Sequence, residues 1–252
     1  MGGAGPHPYL VGVSTANSVL DAVRAARAIP GAMAGSAFAA WGESQGGHAA
    51  LWTAQRARRH APELRLVGVA AAAPPTNLAD NLRTSADPSI RAFMTAYTAY
   101  SWSRHYGIPL ATLGSRSTAG IITRLARNNC VELDAKPRLG TMLGVAVLRR
   151  DLKDVDLGRI EPWASQARRN SPAPHGIGVP VLIAQHPQDK IVSASVTRTF
   201  ARRLCRGGTR MRYLGLSGRG HETSARDSAA ATLDWIDARF RNAPAPSSCG
   251  RI

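Results

Sequence analysis

Ser44 lies in Trp41-Gly42-Glu43-Ser44-Gln45-Gly46-Gly47, a G-x-S-x-G pattern that could present a serine hydroxyl as a nucleophile. A hydroxyl reacts poorly near neutral pH. It needs an adjacent base, and the base needs an acid to orient it. Asp189, in His186-Pro187-Gln188-Asp189-Lys190-Ile191-Val192, and His221, in Ser217-Gly218-Arg219-Gly220-His221, follow in the order serine, acid, histidine. That is the order expected when the serine sits on a sharp strand-to-helix turn. The chemistry would be acyl transfer: Ser44 attacks a carbonyl carbon, His221 takes its proton, and Asp189 fixes the imidazole tautomer. The Gln45 backbone N–H would supply one donor to the oxyanion. The plainer alternatives are a surface loop acid or helix-cap neighbour at Asp189 and a turn residue at His221.

Of the other histidines, His48 is one helical turn beyond Ser44, His60 ends the same helix in solvent, and His186 stands at a strand end near the site. His7, His105 and His175 read as structural or surface residues. No spacing resembles a zinc site and no Gly-rich phosphate loop follows a strand, so neither metal nor cofactor is expected.

The elements that must position these residues alternate. Ser18-Val19-Leu20-Asp21 resembles a capping box opening a helix that stops at Pro30-Gly31. Ala37 to Trp41 is a short apolar run suited to a buried strand, and Gly46 to Arg59 reads as a helix. The glycines around Ser44 are expected where side chains would collide with a crowded turn. Leu64 to Ala73 is a continuous apolar run closed by Pro74-Pro75. Val179 to Gln185 is a strong strand pattern, followed by a helix with Val196, Phe200 and Leu204 on one face and Gly207-Gly208 at its end. Met211 to Leu216 is another strand. The last helix opens at Ser224-x-x-Asp227 and carries Ala229, Leu233, Ile236 and Phe240 at helical spacing. Strands alternating with helices imply an α/β fold with a mostly parallel sheet covered on both faces. Residues 76–175 break the rhythm with helical patterns and loop-like stretches at Lys136-Pro137 and 170–174. The expected organisation is a core of 1–75 and 176–252 with a helical cap or lid of 76–175. On that cap Phe93, Tyr97 and Tyr100 form an aromatic stripe that either receives acyl chains or simply packs.

At 252 residues and 44% apolar content the chain is long enough for a sizeable core. No apolar run approaches a membrane span. Met1 to Pro8 has neither a basic n-region nor an apolar h-region, so no signal peptide is read there. The net charge of +16 is spread along helices and their ends, at Arg56, Arg58, Arg59, Arg149, Arg150, Arg202, Arg203 and Arg206. Nucleic acid needs clustered cations and is not expected as a partner; contact with an anionic lipid surface suits the charge better. Cys130, Cys205 and Cys249 leave at least one cysteine unpaired within the chain. A Cys205–Cys249 bridge would staple the Pro-rich tail of 243–250 and imply an oxidising compartment; three free or buried thiols are the alternative.

The chain resembles the secretory lipase family of α/β-hydrolases, which includes fungal lipase A-type enzymes and actinobacterial relatives. The resemblance rests on Gly5 to Gly12, Val19 to Ala26, the segment around Ser44, Pro162-Trp163, the Asp189 loop, Gly220-His221 and the Cys249 tail. It implies a Ser44–His221–Asp189 triad, a helical cap, an acyl-enzyme and hydrolysis of carboxylic esters including acylglycerols, with a secreted full-length form. His186 stands where the family commonly has glycine. Family members also carry a long N-terminal portion holding early strands and the second oxyanion donor, whereas 43 residues precede Ser44 here. The resemblance therefore implies a fragment or a miscalled start, and poor expression or inactivity unless the chain is extended upstream, because the exposed edge of the strand before Ser44 would invite aggregation. A peptidase or acyltransferase on the same fold, an inactive remnant and a basic interaction module are the other readings.

Overall fold

The structure, a computed structural model, describes residues 5–129, 138–218 and 220–252. Cys130, Lys136, Pro137 and Arg219 lie outside the described residues. In chain order the elements are α1 (Gly12–Ala28), β1 (Ala37–Glu43), α2 (Gln45–His60), β2 (Arg65–Ala72), α3 (Leu78–Thr84), α4 (Pro88–Tyr106), α5 (Arg116–Asn128), α6 (Leu139–Asp151), α7 (Trp163–Asn170), β3 (Val181–Gln185), α8 (Ala194–Arg206), β4 (Met211–Gly215) and α9 (Ser224–Phe240). Short 3-10 turns occupy Leu110–Leu113 and His221–Thr223. By contacts the chain divides into two compact units. One holds Gly12–Asn77 and Ser171–Ile252; the other holds Leu78–Asn170 with the segment ending at Val11.

In the first unit the four strands form one parallel sheet in the order β1-β2-β3-β4, the α/β-hydrolase architecture. Side chains on a strand alternate between faces, and here both faces are apolar. Val69, Ala71, Val181 and Ile183 pack with Ala50 and Leu51 of α2 and Phe200 and Leu204 of α8. Their neighbours Ala70, Ala72, Leu182 and Ala184 pack with Trp235 of α9 on the opposite face. Burying a Leu, Ile or Val side chain contributes about 1.5–3 kcal/mol, so this two-sided layer is what holds the strand ends in place. Along β4 the C-terminal tail is fastened by Ser248 N–H to the Met211 carbonyl (2.8 Å), by Tyr213 N–H to Ser248 Oγ (3.0 Å) and by the Cys205–Cys249 disulfide.

Three local expectations are corrected. Helix α1 begins at Gly12, six residues before the capping-box pattern, and Ser18 sits inside it, donating to the Ser14 carbonyl (3.1 Å). Gly12 is small by necessity, since a Cβ there would overlap the Trp52 indole of α2. On α9, Leu233 and Phe240 are exposed, and the buried face is Ser224, Ser228, Thr232, Trp235 and Arg239. The small residues let α9 approach the sheet, and the Trp235 ring lies where a Cβ on Gly68 of β2 would be, 2.8 Å away. The Ser224-x-x-Asp227 cap is also displaced. Thr223 is the N-cap and its hydroxyl donates to Asp227 Oδ2 (2.6 Å), while Ser224 Oγ donates to the Gly220 carbonyl (3.2 Å).

The second unit is helical. Asp87 caps α4 by accepting from Ser89 N–H (2.7 Å) and Ile90 N–H (3.2 Å), with Pro88 at the first helical position. Trp102 and Trp163 are fully buried, and each indole N–H finds an acceptor, the Leu10 carbonyl (3.3 Å) and Thr112 Oγ1 (2.8 Å). The expected core of 1–75 includes the residues before 12. Leu10 and Val11 are instead buried beside Leu78, Trp102 and Trp163. A second cluster joins Ala92 and Ala96 of α4 to Ile122 and Leu125 of α5 and Leu148 of α6.

Candidate active site

The pairing register aligns the carboxyl ends of the strands: Glu43 pairs with Ala72, Ala72 with Ala184, and Gln185 with Gly215. Residues that leave β1, β3 and β4 therefore emerge along one sheet edge, where ligands bind in open parallel sheets. Ser44 leaves β1 and opens α2 with φ 52° and ψ −117°, a sparsely populated conformation for a residue with a side chain. Such a backbone costs on the order of 1–3 kcal/mol and persists only where its surroundings enforce it. Here Ser44 N–H donates to the Ala72 carbonyl (2.8 Å) and the Ser44 carbonyl accepts from His48 N–H (3.0 Å).

The glycines of the turn are not equivalent. A Cβ on Gly42 would run into the Gly46 backbone, and one on Gly47 would come within 3.1 Å of the Ala72 carbonyl oxygen, whereas Gly46 faces open space. Gly42 and Gly47 are thus small because the backbone passes close; the side-chain space at Gly46 is unobstructed.

The structure brings Ser44, His221 and Asp189 together. His221 Nε2 is 2.8 Å from Ser44 Oγ, and His221 Nδ1 is 2.8 Å from Asp189 Oδ2. The natural tautomer assignment has Nδ1–H donating to the carboxylate and the Ser44 hydroxyl donating to Nε2. The Asp189 carboxylate has no exposed surface and the His221 side chain only 2%. Low dielectric strengthens each of these hydrogen bonds. Gln45 is the first residue of α2, so its N–H lies at the positive end of the helix dipole beside Ser44.

Asp189 accepts four N–H bonds in all. Ile191 N–H and Val192 N–H meet Oδ1, both at 2.9 Å, and Gln185 Nε2 meets Oδ2 at 2.9 Å beside the His221 contact. In the sequence Gln185 carries only a faint mark, a polar amide closing an otherwise apolar strand. Its Nε2 also approaches the Val192 carbonyl (3.3 Å), so it ties the acid to both ends of its loop. His186 is buried, and its Nδ1 accepts from Gln188 N–H (3.1 Å). Its Nε2–H donates to the Gly218 carbonyl, which joins the acid loop to the loop before His221.

Tyr97 is buried within the helical unit, against Phe93 (ring centroids 4.5 Å apart), and its hydroxyl donates to the Leu125 (3.2 Å) and Asn129 (2.7 Å) carbonyls. Tyr100 packs on the Ile122–Leu125–Leu148 cluster. His60 is half-buried and bonded to Asp21 Oδ1 (2.9 Å), not solvated; that contact, with Arg24, lowers the Asp21 pKa. His48 is fully buried beside Trp52. Among the described residues no helix is long and apolar enough to cross a membrane, and no His, Cys, Asp and Glu group could hold a metal ion.

The fold is shared with solved hydrolases. Over 96% of its length the chain is similar to Candida antarctica lipase A (TM-score 0.75, 19% identity), spanning 57% of that protein. It is similar over 95% of its length to the rice cell wall degrading esterase LipA from Xanthomonas oryzae (TM-score 0.68, 18% identity), spanning 68% of it. A putative hydrolase from Legionella pneumophila aligns over 94% of the chain (TM-score 0.73, 15% identity) and 66% of its own length. No curated protein matches the sequence. At these identities the structural likeness speaks for the fold alone, and the family comes from the sequence. The secretory lipase family model matches residues 3–99 and 170–248, most of the chain and all three side chains at the sheet edge, and on that match the chain belongs to the secretory lipase family.

Proposed function

We propose that the chain carries the acyl-transfer centre of a carboxylic ester hydrolase, with Ser44 as nucleophile, His221 as base and acid, and Asp189 as orienting carboxylate. The observation that carries this reading is the continuous relay Ser44 Oγ–His221 Nε2 and His221 Nδ1–Asp189 Oδ2, both 2.8 Å, in a buried setting.

In the first step Ser44 Oγ bonds to the ester carbonyl carbon while its proton passes to His221 Nε2, and the carbonyl electron pair moves onto oxygen. The Gln45 N–H, at the positive end of α2, stabilises that oxyanion, and Asp189 stabilises the imidazolium. Collapse breaks the bond to the alkoxy oxygen, which leaves as an alcohol with the proton from His221. Water then repeats the sequence on the acyl-enzyme: it gives its proton to His221 Nε2, and Ser44 leaves with that proton restored. Family membership supports lipid esters, acylglycerols among them, as the substrate class, and secretion of the full-length form. The Cys205–Cys249 disulfide fits an oxidising compartment.

A fluorophosphonate probe tests the centre directly. The expected result is one stoichiometric adduct mapped to Ser44, lost in Ser44→Ala, with turnover of p-nitrophenyl esters and none of peptide amides. A folded chain that takes no adduct at Ser44 would leave an inactive remnant as the answer, and faster cleavage of amides than esters would make it a peptidase.

A further inference from the structure

Glu43, the residue before the proposed nucleophile, is bonded to the helix that follows the proposed base. Its Oε1 accepts from the Ala225 backbone N–H at 2.7 Å, across 182 positions of sequence. Ala225 is the second residue of α9, and α9 starts directly after the turn His221–Thr223. The first N–H groups of a helix have no partner within it and need an acceptor from outside. Thr223, the N-cap, supplies no side-chain bond to them, because its hydroxyl is directed to Asp227 Oδ2 (2.6 Å) and the Gly220 carbonyl (3.4 Å). The capping group thus comes from β1, and an anionic carboxylate at a helix N-terminus also meets the helix dipole favourably.

We propose that Glu43 is a positioning residue: it fixes the start of α9 to the end of β1 and so holds His221 within reach of Ser44. This rests on the reading of Ser44 and His221 as nucleophile and base. The two residues follow different strands, β1 and β4, with β2 and β3 between them, and the sheet register alone does not determine where the His221 turn lies. Glu43 is adjacent to one and its partner is four residues from the other, so this 2.7 Å hydrogen bond ties together the two segments that carry them, beside the Ser44–His221 contact itself. Within the His221–Ser224 turn the bonds are longer: Thr223 N–H to the Gly220 carbonyl at 3.4 Å and Ser224 Oγ to the same oxygen at 3.2 Å. Misplacement of a catalytic group by about 1 Å costs on the order of 100-fold, so a partial loosening of this turn is felt in kcat.

The test compares Glu43→Ala, which removes the acceptor, with Glu43→Gln, whose amide oxygen can still accept from Ala225 N–H. Kinetics with p-nitrophenyl butyrate are read well below the unfolding transition, with hydrogen exchange of the first-turn amides of α9 measured on the same samples. For Glu43→Ala the expected result is a fall in kcat of about tenfold or more with KM within twofold, and faster exchange at Ala225. Glu43→Gln returns kcat to within about threefold and restores the slow exchange. Unchanged exchange at Ala225 in Glu43→Ala overturns the proposal whatever the activity does. Unchanged kcat in a folded Glu43→Ala overturns it too, and a Glu43→Gln as slow as Glu43→Ala shows that the charge acts and the tie does not. If the unmodified chain shows no turnover and no Ser44 adduct, the hydrolase reading fails, and the exchange data still decide whether Glu43 holds α9.

Discussion

The loops that carry Asp189 and His221 leave adjacent strands at one sheet edge, yet they are built on opposite principles. The acid loop is locally determined. Gln185, Ile191 and Val192 all donate to Asp189, and the Asp189 N–H donates back to the His186 carbonyl at 3.3 Å, all within eight consecutive residues. The base loop takes its position from elsewhere: Gly218 is held by His186, His221 by Asp189 and Ser44, and the start of α9 by Glu43. The Asp189 carboxylate is therefore preorganised by its own segment, while the His221 imidazole is placed by the tertiary structure. The proposed acyl-transfer chemistry benefits from that division. The imidazole must meet both partners at once, and contacts to both of their segments ensure that it does.

The largest effects separate the two loops chemically. His221→Ala should lower kcat by about 10⁶-fold, because no proton acceptor remains for Ser44, whereas Asp189→Ala should cost about 10⁴-fold, leaving an imidazole in place with its tautomer and orientation lost. Steady-state kinetics on a soluble p-nitrophenyl ester measure both. Equal losses in two folded variants would mean that Asp189 does more than orient the base.

A smaller effect probes the self-contained character of the acid loop. Gln185→Leu removes a donor to Asp189 Oδ2 and the amide contact to Val192, leaving the carboxylate with its two backbone donors and His221. A lost hydrogen bond to a buried charged group costs about 1.5–3 kcal/mol of stability. We expect that loss in urea unfolding together with a fall in kcat of about tenfold. A stability loss with unchanged kcat would show that the two backbone N–H groups alone hold the acid in place.

This contrast also explains what was legible in the sequence. Ser44, Asp189 and His221 stand out because each follows an apolar strand and because the turn around Ser44 needs Gly42 where the backbone passes close. The sheet is legible because β2 and β3 are apolar on both faces. Features set by a distant partner have no such local mark. The buried face of α9 is chosen by the fit of Trp235 over Gly68, against the apolar spacing that pointed to Leu233 and Phe240. Gly12, the first residue of α1, must be small because of the Trp52 ring beside it, and the bond from Glu43 to Ala225 joins segments 182 residues apart. A polar residue closing an apolar strand, as Gln185 does, is a local mark of a side chain that holds Asp189.

The smallest expected effect on catalysis comes from the far side of β4. The Cys205–Cys249 disulfide closes a loop with a sequence separation of 44, joining the end of α8 to the tail. By chain entropy such a loop is worth about 4 kcal/mol, equivalent to roughly 10 °C in Tm for a chain of this size. Cys249→Ser should therefore lower the melting temperature by that order, and a reducing agent should lower the parent chain's by the same amount while leaving the variant unchanged. At 25 °C kcat should stay within about twofold, since the bridge acts mainly by restricting the unfolded chain and touches neither loop of the site. A large fall in kcat at that temperature would mean that the tail bonded along β4, through Ser248 to Met211 and Tyr213, also sets the position of the strand from which His221 departs. The base would then depend on one more distant anchor, and the contrast between the two loops would be sharper still.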